Sequence, residues 1–182
     1  MCGVKLKVIK TNLKDCILIE PQVFEDERGF FLESFNTKKY ESIGISSTFV
    51  QDNHSSSLRH VLRGLHFQKK NPQGKLVRVV KGEVLDVALD IRPNSTTFRK
   101  WDAVKLSEGN KRQFWIPPGF AHGFLVLSDK ADFEYKCTDF YYPDDEMTIR
   151  WNDPSLNIPW DIENPIISAK DSNAPLLSEL NL

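Results

Sequence analysis

Cysteine is scarce in this 182-residue chain: Cys2, Cys16 and Cys137 are scattered and odd in number. They form neither a disulfide framework nor a CxxC metal clip and read as reduced thiols of a cytosolic protein. Beside Cys137 only Lys136 would favour a thiolate, which is too little for a nucleophile. Histidine is almost as rare, with His54, His60, His66 and His122. An excess of charge is missing too. A formal net charge of -1 argues against a nucleic-acid binder that works by neutralising phosphates. No apolar run approaches bilayer length, and lysines break the apolar residues of MCGVKLKVIKTNLKDC, which excludes a signal-peptide core. Position 2 is Cys2 rather than glycine and the chain ends Asn181-Leu182, so lipidation motifs are missing. The phosphate loops GxxxxGK[ST] and GxGxxG do not occur, nor does a GxSxG elbow. A nucleotide would be held by arginine and lysine side chains instead.

What is present is strand-like. In Glu83–Ile91, Leu85, Val87, Leu89 and Ile91 alternate with Val84, Asp86, Ala88 and Asp90, a period of two that marks a strand with one fully apolar face. Lys75–Lys81 reads as the strand before it, with Gly82 supplying a tight turn. Further strands are predicted over Arg28–Phe35, Val61–Gln68, Thr97–Leu106, Arg112–Ile116, Ala121–Ser128 and Asp132–Tyr141, separated by turn signals such as Pro93-Asn94-Ser95 and Gly109-Asn110. Many short strands at roughly 8–12-residue spacing imply an antiparallel sandwich or barrel. Helix is expected only over Asn36–Ile43 and in a piece of the last 25 residues. Prolines at 154, 159, 165 and 175 make the tail from Asp144 an irregular wrapping segment rather than a second domain.

Four motifs carry chemistry. Pro117-Pro118-Gly119-Phe120-Ala121-His122 has the P-x-G-x-x-H shape of the second motif of cupin barrels, which are jelly rolls. A metal-binding cupin needs a further H-x-H with a glutamate. The matching place here is His66-Phe67-Gln68. His66 and His122 do not readily make a three-histidine site, although two histidines and a carboxylate remain possible by count. In Val61–Gln68, Arg63 and His66 differ by an odd number, so an unbroken pleat puts them on opposite faces unless Gly64 marks a bulge. On pattern alone, a surface arginine and a core histidine fit equally well. Asp26–Phe35 fits a hairpin with a solvated charged face, and Tyr135–Pro143 fits an aromatic strand.

Together the pieces resemble one family. DERGFFLESF, QDNHSSS, VLRGLHFQ, QGKLVRVVKGEVLDVALDIR, WIPPGFAHGF, YKCTDFYYPDDE, IRWNDPSLNI and SAKDSNAP look like the ordered signature blocks of the dTDP-4-dehydrorhamnose 3,5-epimerases. The resemblance implies a mainly β, cupin-type jelly roll with short peripheral helices. It implies one domain over residues 1–182, with its core at about 17–143 and a wrapping segment at about 144–182. A cytoplasmic homodimer in dTDP-L-rhamnose and cell-surface polysaccharide biosynthesis is implied as well. The family inverts C3 and C5 of dTDP-4-dehydro-6-deoxy-D-glucose by removing and returning protons beside the C4 ketone. That chemistry needs no metal and no cofactor.

By motif position, His66 matches the general base, Asp171 its carboxylate partner, Lys75 the cation near the C4 oxygen and Tyr135 the proton donor on the opposite face. Arg63 and His122 match sugar-contacting positions. Arg28, Glu33, Gln51, Asp52, Asn53, Tyr141, Glu146 and Lys170 match the nucleotide half, with Tyr141 stacking on thymine. Lys170 stands where some members carry arginine, Ser56 where a larger residue is common, and Trp160-Asp161 where Trp-Pro is expected. The rival readings are a mono-epimerase acting at C3 or C5 alone, a non-catalytic sugar-nucleotide-binding cupin, and a metal-dependent cupin.

Overall fold

The structure, a computed structural model, describes residues 6–182; Cys2 and the start of the amino-terminal segment lie outside them. The chain runs through β1 (Lys7–Lys10), β2 (Ile17–Glu20), β3 (Val23–Asp26), β4 (Gly29–Leu32), α1 (Thr37–Glu41), β5 (Gln51–Leu58) and β6 (Leu62–Gln68). It continues through β7 (Lys75–Lys81), β8 (Glu83–Asp90), β9 (Trp101–Ser107), β10 (Gln113–Ile116), β11 (Phe120–Val126), β12 (Lys130–Cys137), β13 (Glu146–Thr148) and α2 (Ala169–Ser172). Among the described residues one sheet has the order β1-β2-β10-β7-β12-β5, a second has β13-β6-β11-β8-β9, and β3 and β4 form a separate hairpin. Their strand pairs are antiparallel, and the two sheets face each other as the jelly roll expected from the motifs.

The alternation in β8 explains the layering. Val84 and Ala88 face the interior between the sheets, with Val77, Phe114 and Phe133. Val87 and Leu89 face the other way and are covered by Leu156, Trp160 and Leu177 of the tail. The side that carries Asp86 and Asp90 therefore meets the barrel interior rather than water, and both carboxylates are fully buried. A third cluster, with Tyr40, Ile45, Leu76 and Trp115, packs α1 and its flanks on the outside of the first sheet. Each large apolar side chain so buried contributes roughly 1.5–3 kcal/mol.

Local chemistry sets the element ends. Asn36 caps α1 by accepting from the Lys39 N–H at 3.3 Å, so the helix is shorter than the Asn36–Ile43 stretch. The strand read from Thr97 begins only at Trp101, because Ser95 and Thr97 bond Asp90 in a turn. Arg28–Phe35 yields only β4, and β12 ends at Cys137, leaving 138–142 as a loop. Asp161 has φ +52°, a left-handed conformation closed to proline.

Asp90 anchors the turn that follows β8. It accepts from Arg92 N, Nε and Nη2, from Ser95 and from Thr97. Burial alone would raise its carboxyl; the bonds from Arg92, Ser95 and Thr97 outweigh burial and take it from 3.8 down to about 2. Its folded pKa is depressed, so its contribution is present above the unfolded value and is lost as pH falls from about 4 towards about 2. Asp90→Ala is expected to lower the unfolding free energy at neutral pH by about 3 kcal/mol. Denaturant titration checks this, and an unchanged midpoint contradicts it.

Candidate active site

The open end of the barrel collects its polar side chains by register. Lys75, Tyr135 and Cys137 share the inner face of the first sheet with Gln51 and Asn53, since Tyr135 pairs with Asn53 and Cys137 lies between Lys75 and Gln51. On the second sheet, His66 lies opposite both His122 and Thr148, and Gln68 lies opposite Glu146.

Arg63 joins His66 on this face through a bulge. Between the pairs His122–His66 and Phe124–Arg63, β6 spends three residues where β11 spends two. Gly64 permits it, with φ +124°; a Cβ there would lie 2.5 Å from the Gly123 Cα. The opposite-face expectation for an unbroken pleat therefore gives way to the bulge. Arg63 Nε donates to Ser57 Oγ at 3.1 Å across the mouth.

His66 and Asp171 form a close pair, Nε2 to Oδ1 2.7 Å. The His66 side chain is 28% exposed and that of Asp171 3%, so the imidazole is reachable while its carboxylate is shut away. Helix α2 presents Asp171, and Ser168 caps that helix by accepting from the Asp171 N–H at 3.1 Å. Burial works to raise the Asp171 carboxyl, but the bond and charge of His66 outweigh it and hold it below the usual carboxylate range. An ionised Asp171 can only accept, so Nε2 carries a proton and Nδ1 is left as the basic nitrogen.

Facing groups suit an enolate. Burial pulls the Lys75 ammonium below its usual pKa, opposed by Cys137, Glu146 and Asp86. Burial pushes the Tyr135 phenol up to about 12, so it holds its proton at neutral pH. The Cys137 thiol is likewise raised by burial, with Lys75 opposing, and remains a thiol. Asp86, which the sequence reading did not single out, is fully buried and bonds His122 Nε2 at 2.9 Å. Its signal was an acidic residue on the interior-facing half of an alternating strand.

The nucleotide set divides. Tyr141 Oη donates to Glu146 at 2.8 Å, and Lys170 bonds the same carboxylate, so these three meet at one edge of the mouth. Gln51 donates to Asn53 at 3.1 Å beside them. Asp52 is turned outward by the alternation of β5 and pairs with Lys136 at 3.0 Å, so its side chain does not join the set. Arg28 and Glu33 also lie elsewhere in this chain. Arg28 binds Asp26 of its own hairpin and its side chain is 84% exposed; Glu33 binds Lys39 of α1.

Gln68 stands where the second histidine of the cupin H-x-H would be and is 5% exposed, but its amide is bonded to Asn71, Phe140 and Tyr142. Among the described residues no group of three His, Cys, Asp or Glu side chains is arranged to hold a metal ion, and no helix is long and apolar enough to cross a membrane.

Comparison with known proteins follows the same lines. The family profile described as dTDP-4-dehydrorhamnose 3,5-epimerase matches residues 10–179. The chain is 58% identical over 170 residues to the dTDP-4-dehydrorhamnose 3,5-epimerase of Shigella flexneri, covering 92% of this chain and 94% of that one. It is 57% identical over 175 residues to the enzyme of that name from Salmonella typhimurium, covering 94% and 96%. Among solved structures it is similar to the dTDP-6-deoxy-D-glucose-3,5-epimerase of Legionella pneumophila in complex with dTDP-4-keto-L-rhamnose. That match has 53% identity and a TM-score of 0.94, covering 97% of this chain and 95% of that one.

Proposed function

The chain belongs to the dTDP-4-dehydrorhamnose 3,5-epimerase family, and from that premise we propose how its own residues carry out the isomerisation. The substrate is dTDP-4-dehydro-6-deoxy-D-glucose and the product dTDP-4-dehydro-L-rhamnose. The observation that carries the reading is the reachable His66 bound to a buried, ionised Asp171 in a mouth shared with Lys75 and Tyr135.

Hydrogens at C3 and C5 are acidic because each carbon adjoins the C4 ketone. His66 Nδ1 takes the proton, and the C–H electron pair moves through C4 onto the ketone oxygen. Asp171 stabilises the imidazolium so formed. The Lys75 ammonium holds the enolate oxygen, a preorganised interaction worth roughly 3–4 kcal/mol in comparable sites. The Tyr135 hydroxyl returns a proton to the same carbon from the opposite face, which inverts it. His66 then releases its proton to solvent and Tyr135 recovers one, the ring turns, and the second carbon is processed by the same groups. A non-catalytic binding cupin would have no use for a base, a cation and an acid gathered in one mouth.

Arg28 and Glu33 serve the nucleotide in this reading, yet they sit outside the chain's own barrel mouth. A homodimer reconciles the two: the β3–β4 hairpin, with Phe30 and Phe31 57% and 68% exposed, extends to the mouth of a second copy. Arg28→Ala is then expected to weaken dTDP binding by about 10–100-fold, the cost of a charge-assisted phosphate contact. Saturated turnover should change far less, because Arg28 grips a part of the substrate that does not react. Titration calorimetry and steady-state kinetics check this. A large fall in turnover at unchanged affinity contradicts it.

A further inference from the structure

Residues 139–142 form a loop whose three aromatic side chains stand out from the surface: Phe140, Tyr141 and Tyr142 are 55%, 50% and 40% exposed. Exposed connecting segments are ordinarily the mobile parts of a fold. The main chain of this one is held instead by three glutamine side chains from separate places in the chain. Gln73 Nε2 donates to the Asp139 carbonyl at 2.9 Å. Gln51 Oε1 accepts the Tyr141 N–H at 3.0 Å. Gln68 does both: its Nε2 donates to the Phe140 carbonyl at 3.1 Å and its Oε1 accepts the Tyr142 N–H at 2.8 Å.

One amide thus grips the backbone on both sides of Tyr141. With the Tyr141 hydroxyl tied to Glu146 at 2.8 Å, the ring is fixed at both its root and its tip. Stacking a base on a preset ring avoids the entropy of ordering a loop on binding. Gln68 also lies two residues beyond His66 on β6. The base and the aromatic platform are therefore referred to a single strand, which fixes the spacing between the reacting carbon and the nucleobase.

We infer that Gln68 is a positioning residue for the nucleotide, acting through the orientation of Tyr141; this rests on the assignment of Tyr141 to thymine. It also gives the second position of the H-x-H match a role other than metal binding.

The test uses Gln68→Met, which keeps the volume and removes the hydrogen bonds. By amide hydrogen exchange, Tyr142 in the free protein should exchange at least about tenfold faster, with the β6 amides unchanged. By calorimetry, dTDP affinity should fall about tenfold, with saturated kcat kept within about threefold. Tyr141→Ala should also weaken dTDP, and the double variant should bind no more weakly than Tyr141→Ala alone. Unchanged dTDP affinity in Gln68→Met, losses that multiply in the double variant, or faster exchange throughout β6 would each overturn the role of Gln68. Unchanged dTDP affinity in Tyr141→Ala would sink the thymine assignment itself, and the role of Gln68 with it.

Discussion

Replacing His66 with alanine is expected to lower kcat by at least about 10²–10⁴-fold while dTDP affinity stays within about twofold. The size of the loss follows from the absence of a substitute. The other histidine of the mouth, His122, is buried against Asp86. Glu146 is engaged by Lys170 and Tyr141, which, against the raising effect of its burial, keep its carboxyl below the usual range and make it a weaker base. In the proposed mechanism the imidazole serves the sugar rather than the nucleotide, so dTDP binding should be retained. Steady-state kinetics with calorimetry decides the matter. Unaltered turnover would make His66 a core histidine that happens to meet a carboxylate.

Tyr135→Phe should separate two events that are coupled in the intact enzyme. The variant keeps His66, Asp171 and Lys75, so it still forms the enolate. It lacks the hydroxyl that returns a proton from the other face. Hydrogen at C3 or C5 should therefore exchange with deuterium from solvent while inverted product falls by at least about 10²-fold. Proton NMR in deuterated water reads both quantities at once. Loss of exchange together with inversion, at normal dTDP affinity, would assign Tyr135 to proton removal rather than proton return.

Much of the barrel was legible because its strands alternate. β8 could be read from Leu85, Val87 and Leu89, and β7 from the run before Gly82. β5 escaped because QDNHSSSL has no apolar face to announce it: its inner side lines a polar mouth and its outer side carries Asp52 and His54. β1, β2 and β3 are each four residues long, too short for a periodic signal to rise above background. The site was legible mainly as motif. Pattern alone left Arg63 and His66 on opposite faces unless Gly64 marked a bulge, and the register with β11 shows that bulge. The pairing of His66 with Asp171 joins residues 105 apart through the short helix α2, a contact no local pattern encodes. Asp52 shows the converse: a block read as a unit splits when a strand sends alternate side chains to opposite faces.

The central claim is that one set of groups inverts two carbons. The most direct measurement is wild-type turnover of dTDP-4-dehydro-6-deoxyglucose in deuterated water, with C3 and C5 followed by NMR. Deuterium at both carbons of an L-configured product is expected. Deuterium at one carbon alone, with the other centre retaining its hydrogen and its configuration, would contradict the double inversion and make the enzyme a mono-epimerase.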